Sequence, residues 1–409
     1  MSNTSATRSK LALAIVACIM VASSACNSAT TRQNNHATWT LVKHNTLNSP
    51  GGGVDIYGVS CARPTACVVV GQIHTKSHGN QRKLSKAVMF TNYDRSSRWS
   101  NLNIPGNIGT LYAISCTNTF SCMAVGETPT LYTGNPAGAQ PYIQPAKRPR
   151  GVVISGSLVS GNWIVNRLPN DVGALRGVSC LSQHCIVVGS NIYGNGIVLV
   201  SGKKKSWTLL PVEANHNSFN GVSCVSSIRC IAVGNDIGYI GRAGSGSHWS
   251  LIHGLSSIPW SGISCTTSHG YCVAVGGSSG EIAVGGTFAV TLNAGKNWSI
   301  IKAPLDAQPV PSFPAGRIPP TSVNLGETSL DAVSCSGRIC LAGGSRPYAS
   351  FASLYGSIDG TTWNDVDVSN GSYAIRGISC PTAGSCWVVG TNYTFGLDSS
   401  FADEYTLLS

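Results

Sequence analysis

Residues 58–71 read Gly58-Val59-Ser60-Cys61-Ala62-Arg63-Pro64-Thr65-Ala66-Cys67-Val68-Val69-Val70-Gly71. Two short apolar runs flank a polar turn with a cysteine at each end of it, the pattern of a tight hairpin. The phrase recurs along the whole chain. Its cysteine pairs are Cys61/Cys67, Cys116/Cys122, Cys180/Cys185, Cys224/Cys230, Cys265/Cys272, Cys335/Cys340 and Cys380/Cys386, with four to six residues between partners. These seven pairs take fourteen of the sixteen cysteines and leave only Cys18 and Cys26. Repetition of this kind means one supersecondary unit copied many times, with neighbours stacking to share a core.

A second mark runs in step with the first. Trp99, Trp163, Trp207, Trp249, Trp298 and Trp363 each follow a cysteine pair and open a short apolar run, as in Trp207-Thr208-Leu209-Leu210. A polar turn precedes each Trp, and another strand-like run, such as Gly196 to Val200, lies between that turn and the cysteines. One unit is therefore four strands. Strand A ends at the first Cys, strand B starts at the second, strand C precedes the polar turn and strand D starts at Trp. The seventh cysteine pair is followed by a strand C candidate, Tyr405 to Leu408, and no Trp; the missing strand stands at the other end, as Ala37-Thr38-Trp39-Thr40-Leu41-Val42. Division of one repeat between the termini is how a ring closes without leaving an open sheet edge. The expected fold is an all-β, seven-bladed β-propeller, with blades near 57–102, 112–166, 176–210, 220–252, 261–301, 331–366 and 376–409 plus 38–43.

Composition agrees with an exported all-β protein. Only 11% of the 409 residues are charged while 42% are hydrophobic, and there are 47 Gly and 19 Pro. Disorder requires low hydrophobicity, which is absent here. The N-terminus carries Arg8 and Lys10, then about fifteen apolar or small residues from Leu11 to Ala25, the layout of a signal peptide over residues 1–26. Its end, Ala22-Ser23-Ser24-Ala25-Cys26, resembles a bacterial lipobox, although Ser23 stands where Leu is commonest. That resemblance implies lipidation of Cys26 and a membrane anchor; ordinary cleavage near Ala25 is the alternative. Residues 27–37 read as a polar tether. Either way the mature chain is expected outside the cytoplasm, at the cell surface or membrane-anchored.

The turn Ser357-Ile358-Asp359-Gly360-Thr361-Thr362-Trp363 resembles the Asp-box (BNR) motif of sialidase-like propellers, in a spacing one residue shorter. Asn293, Gly295 and Trp298 match it more weakly. The chain is also similar to exported repeat proteins that carry a Gly-Val-Ser-Cys…Cys-Val-Ala-Val-Gly signature. These resemblances imply fold and compartment and say little about activity.

In an oxidising compartment each cysteine pair is expected to form one disulfide per blade. By chain entropy, closing so short a loop contributes about 2 kcal/mol. Zinc is the competing reading, but its ligand pairs usually sit two to four residues apart and converge in twos. No metal and no cofactor is expected.

A propeller places its B–C and D–A loops on one face. The large insertions, 72–87, 127–151 and 302–330, all fall there, and long loops on a rigid scaffold commonly carry binding. The first holds His74, Lys76, His78, Arg82, Lys83 and Lys86 without an acidic residue, and the second adds Lys147, Arg148 and Arg150 against Glu127, with Tyr132 and Tyr142. Trp260 and His253 lie in a D–A stretch, and Trp260 is outside the repeated Trp positions. The expected ligand-binding residues are Lys76, His78, Arg82, Lys83, Lys147, Arg148, Arg150 and Trp260. Loss of Arg8 and Lys10 with the leader takes the formal net charge from +11 to about +9, and a basic face steers anionic partners. The alternative is that these charges only keep the loops soluble.

No catalytic residues are expected. Sialidase-like chemistry needs three Arg, a Tyr/Glu pair and an acidic acid/base, and Arg317-Ile318-Pro319 lies in a late insertion rather than in the first blade. A glycosidase needs two convergent carboxylates, and there are sixteen Asp and Glu in all. No nucleophile elbow, His-Glu-x-x-His helix or phosphate loop is present. The expectation is a monomeric, non-catalytic propeller binding a protein or an anionic polysaccharide or wall polymer, and not nucleic acid. The rivals are a glycan-processing hydrolase and an assembly factor for a membrane complex, the latter by analogy with propellers resembling the photosystem assembly factors.

Overall fold

The repeated hairpins form as their spacing requires. In this computed structural model, which describes residues 37–48, 52–75, 83–93, 98–129, 131–132, 148–181, 184–202, 206–213, 217–226, 229–242, 248–267, 270–277, 286–304, 329–345, 352–368, 372–394 and 397–408, no α-helix occurs among the described residues. The signal segment, Cys26 and all of the tether but Ala37 lie outside them. Strand Val172–Leu181 pairs antiparallel with His184–Asn191, with Cys180 directly opposite Cys185, and five other hairpins repeat that cross-strand placement.

All seven expected disulfides are formed. They are Cys61–Cys67, Cys116–Cys122, Cys180–Cys185, Cys224–Cys230, Cys265–Cys272, Cys335–Cys340 and Cys380–Cys386. Their surroundings add to the expectation, which gave the pairs only the role of closing hairpins. The second cysteine of every pair is buried: Cys67, Cys122, Cys185, Cys230, Cys272, Cys340 and Cys386. Cys122 packs with Met89 and Ile154, Cys230 with Phe219 and Trp249, Cys272 with Trp260, Cys340 with Phe288 and Trp363, and Cys386 with Phe401 and Tyr405. The reason is positional, since the second cysteine opens the apolar second strand of its hairpin. These sulfurs are core side chains as well as staples, and they present no surface to a ligand.

Five sheets have four antiparallel strands each, in chain order from inner to outer edge. One of them runs Phe219–Ser226, Arg229–Gly234, Ile237–Gly241, Ser250–Leu251. A further sheet contains two such sets, joined only where Ser345 meets Ala374. Its first set is Ser329–Ser336, Ile339–Ser345, Ala352–Ser357 and Asn364–Asp365. Its second is Ser372–Thr382, Ser385–Thr394 and Leu397–Leu408, with Thr38–Lys43 beside the last. Trp39 lies opposite Leu407, and Thr46–Leu47 also pairs with Leu397–Leu408. This architecture of repeated four-stranded antiparallel sheets is a β-propeller.

The recurring letters of the repeat each have a physical role. The final Gly of each Cys-x-x-x-Gly run has no room for a side chain: a Cβ on Gly234 would stand 2.0 Å from Ser218 O, and one on Gly71 1.9 Å from Asp55 O. The crowding comes from a β-bulge in every inner strand, at Tyr57, Tyr112, Arg176, Asn220, Ser261, Asp331 and Arg376, each facing the end of a partner's apolar run. A bulge bends its strand and re-aims one side chain. The small residue that follows lets inner strands approach: a Cβ on Gly177 would lie 3.1 Å from Gly221 Cα, and one on Gly377 3.2 Å from Gly58 Cα.

The Ser before each first Cys bonds the next inner strand. The N–H of Cys116 donates to Ser60 Oγ at 2.9 Å, Cys180 to Ser115 at 3.1 Å, Cys224 to Ser179 at 3.2 Å and Cys265 to Ser223 at 2.8 Å. Cys335 donates to Ser264, Cys380 to Ser334 and Cys61 to Ser379, each at 3.0 Å. The last of these returns to the start, so the cycle of seven bonds closes on itself.

The tryptophans fill the spaces between sheets. Trp363 stacks on Phe288 of the preceding sheet with centroids 4.1 Å apart, and Trp99 meets Trp387 edge-on at 5.3 Å. Ahead of Trp363, Asp359 organises its turn by accepting from the N–H groups of Thr361 and Thr362, both at 2.7 Å, while Ser357 Oγ accepts from Gly360 N–H. Burial alone would raise the Asp359 carboxyl, but these backbone donors and the Thr362 and Ser357 hydroxyls outweigh it and hold it well below the usual carboxylate range. Gly360 takes φ +79°, the left-handed region that a side chain disfavours.

Two substitutions separate the roles of the repeat letters. Gly234→Ala is expected to cost more than about 3 kcal/mol, because backbone must move to admit the methyl group. Ser223→Ala is expected to cost about 1–2 kcal/mol, the loss of one inter-strand acceptor for the Cys265 N–H. Thermal and denaturant melts check the ranking.

Candidate ligand-binding site

The bulges put one side chain per inner strand on the inside of the ring, at equivalent positions. Neighbours touch. Tyr57 and Tyr112 lie with ring centroids 5.5 Å apart, the Arg176 guanidinium covers the Tyr112 ring at 4.9 Å, and Arg376 donates to Asp331 Oδ2 at 2.8 Å. Asn220 Nδ2 donates to the carbonyl of Trp260 at 2.9 Å. In the order of the Ser–Cys cycle, Arg376, Tyr57, Tyr112 and Arg176 are consecutive, giving an arc of two tyrosines between two arginines.

Hydrogen bonds from the ends of the second strands fix the tyrosines. Gln72 Nε2 donates to the Tyr57 hydroxyl at 2.7 Å, and Gln72 Oε1 accepts from Thr110 Oγ1 at 2.8 Å. Tyr57 also reaches Asp55 Oδ2 at 3.4 Å. The Tyr112 hydroxyl donates to Glu127 Oε1 at 2.9 Å. Burial raises the Glu127 carboxyl above its ordinary range, opposed by the Tyr112 hydrogen bond and Arg176. Burial and the nearby Glu127 push the Tyr112 phenol above its ordinary value, so it is a donor and not a phenolate at neutral pH. Burial likewise raises Asp331, against the pull of Arg376.

The expected basic face is only partly described. Lys76, His78, Arg82 and Lys147 lie outside the described residues. The first two insertions do meet in the backbone, where Lys83–Leu84 pairs antiparallel with Leu131–Tyr132, Lys83 opposite Tyr132. Arg148 is exposed, donates to the Ile192 carbonyl and lies 5.9 Å from the centroid of Tyr193, itself 67% exposed. Arg150 is exposed at a cleft of about 290 Å³ whose lining includes Asn107, Thr128 and Asp171. Most of the third insertion, 305–328, lies outside the described residues.

Trp260 is elsewhere. It is 0% exposed, with its indole N–H donating to Leu255 O at 2.8 Å, and it offers no surface to a ligand. It fills the position just before the bulge, held in other copies by Ile56, Leu111, Leu175, Phe219, Leu330 and Ile375, all of which are buried. Its distance of two residues from Gly262, matching Phe219 and Gly221, is the signal that assigns it to the core. His253 is exposed in the short 3₁₀ turn His253–Leu255. Among the described residues no group of His, Cys, Asp or Glu is arranged to hold a metal.

Neither a family model nor a curated protein matches this sequence. Solved structures are similar in fold. A streptogramin B lyase aligns with TM-score 0.56 and 12% identity over 90% of this chain and 98% of its own. YCF48 from Cyanidioschyzon merolae aligns at 0.50 and 13% over 88% and 99%. The GH74 xyloglucanase from Xanthomonas campestris aligns at 0.55 and 13% over 87% of this chain and 53% of its own. All are β-propellers, and identities this low show the fold alone.

Glu127 provides a direct check on the electrostatics. Its raised folded value means that ionisation opposes folding, so its favourable contribution is present below the unfolded carboxylate range and is lost as pH rises through the folded value. Stability of Glu127→Gln relative to the parent is therefore expected to improve between about pH 4 and 7. Tyr112→Phe is expected to raise the Glu127 titration further, read by carboxyl-resolved NMR.

Proposed function

We propose that this chain is a seven-bladed, Asp-box-type propeller whose N-terminal strand Thr38–Lys43 completes the last blade, exported and lipid-anchored through Cys26. It acts as a non-catalytic, monomeric binding scaffold that captures an anionic surface polymer through the face bearing insertions 72–87, 127–151 and 302–330. The observation that carries this reading is the backbone pairing of Lys83–Leu84 in the first insertion with Leu131–Tyr132 in the second, which joins two insertions whose sequences are rich in arginine and lysine. Exposed Arg148 and Arg150 stand at the base of the second insertion. The seven disulfides favour an oxidising compartment. The carboxyls inside the ring are engaged, Glu127 by Tyr112 and Asp331 by Arg376, which favours binding over glycoside hydrolysis.

The test is retention of the mature protein on immobilised polygalacturonate across a salt gradient. The parent is expected to bind at low ionic strength and to elute as salt screens its charges. Replacement of Lys76, Arg82, Lys83, Lys147, Arg148 and Arg150 by Ser is expected to abolish retention while the melting temperature moves by no more than about 2 °C, as surface substitutions do. Unchanged retention would overturn the basic-face reading.

A further inference from the structure

The turns at the cysteine end of each sheet form a surface of their own, opposite the insertions. Hydrogen bonds tie these turns together. Within one sheet the N–H of Leu158 donates to Thr119 O at 2.9 Å, and that of Ala294 to Gly270 O at 2.7 Å. Between sheets the Tyr271 hydroxyl donates to Gly360 O at 2.7 Å and the Trp387 indole N–H to Pro64 O at 3.0 Å. The charges here are nearly all of one sign. Arg63, Arg98, Arg229, Arg242, Lys296 and Arg338 stand on these turns, and among the described residues the one carboxylate on them is Asp359, already engaged by the N–H groups of Thr361 and Thr362. Arg229, Arg242 and His248 line a cleft of about 490 Å³ with no carboxylate in its wall.

Apolar side chains stand among these cations. Phe120 is 69% exposed at the tip of one turn, and Val159, Leu292 and Ile358 are exposed at the tips of others. A large apolar side chain left in water at a turn tip contributes nothing to folding. The N-terminal strand also begins at this face: Thr38 lies opposite Leu408, and the N–H of Leu407 donates to Gly384 O in the last cysteine turn at 3.1 Å.

From these observations we propose that the face formed by the hairpin turns lies on a bilayer containing anionic lipid, with Arg229, Arg242, Lys296 and Arg338 at the headgroups and Phe120, Val159, Leu292 and Ile358 entering the interface. Basic side chains are drawn to a negatively charged leaflet, and apolar side chains beside them gain burial at the boundary of headgroup and acyl chain. In the cleft, the guanidinium groups meet a lipid phosphate with paired N–H donors. Cations alone would suit any polyanion, and apolar tips alone any apolar partner. Both together, spread over turns of several sheets, suit a bilayer. Residues 27–37 join the proposed anchor at Cys26 to the strand that starts here, so a lipidated chain is held with these turns toward the membrane and its insertions facing away. The inference takes only this orientation from the anchor, and it leaves the polymer-binding face free.

The experiment uses the mature chain carrying Cys26→Ser, which bears no acyl group, so vesicle binding reports the folded surface alone. Co-sedimentation with phosphatidylcholine vesicles containing roughly one third phosphatidylglycerol is expected to show at least tenfold stronger partition than with phosphatidylcholine alone, and to weaken as salt screens the cations. Arg229→Ser, Lys296→Ser and Arg338→Ser together are expected to lose at least tenfold. Phe120→Ser alone is expected to lose about threefold, with its melting temperature within about 2 °C of the parent because the ring is exposed. The sextuple variant of the insertion face is expected to bind vesicles within about twofold of the parent. No vesicle binding by the parent, equal partition onto neutral and anionic vesicles, or an unaffected triple variant would overturn the proposal. Loss of polygalacturonate retention in the triple variant, with no vesicle binding by the parent, would assign these turns to a polymer instead. Vesicle binding without polygalacturonate retention would sink the polymer reading and leave the membrane face standing.

Discussion

Seven serine hydroxyls hold the inner strands together. Each accepts the N–H of the first cysteine in the following copy, and the bond from Cys61 to Ser379 joins the last copy to the first. A backbone N–H at this place has no ladder partner, because it points out of its own sheet toward the neighbour. Leaving it bare would cost about 1–3 kcal/mol each time. The hydroxyl also sets the distance between inner strands. At that distance only Gly or Ala fits three residues before the cysteine, as Gly58, Ala113, Gly177, Gly221, Gly262, Ala332 and Gly377 show. The disulfide next to the serine then locks the hairpin that presents it. Serine, small residue and cysteine are one device.

That coupling explains how much of the fold was legible before the structure. Residues that do the same physical work in every copy recur in every copy, so the cysteine pairs, the Gly-x-Ser-Cys phrase and the tryptophans all announced themselves. Strand starts such as Gly52 and Ser372 are the least legible, because the segment before the bulge has no repeating letters. Trp260 is hard to place for a related reason. The position before the bulge requires only bulk, and Trp there looks exceptional beside Leu175 or Ile375 until the register is known.

The interior arc was not legible at all. Its residues occupy the bulge, the one inner-strand position where the scaffold needs no particular side chain, so Tyr57, Tyr112, Arg176, Asn220, Ser261, Asp331 and Arg376 share no letter to find. Their partners Gln72 and Glu127 sit at strand ends beside insertions, where charge drew attention to the loops instead. The general lesson is physical. In a repeat protein the scaffold is written in what repeats, and what differs between copies is written at the position the scaffold leaves free.

The central claim is that the serine–cysteine cycle is closed. Native-state hydrogen exchange on the mature protein measures it most directly, through the amides of Cys61, Cys116, Cys180, Cys224, Cys265, Cys335 and Cys380. A closed cycle predicts that Cys61, whose acceptor Ser379 comes from the far end of the chain, is protected within about tenfold of the other six. Exchange of Cys61 orders of magnitude faster than the rest would mean an open array and would contradict the account.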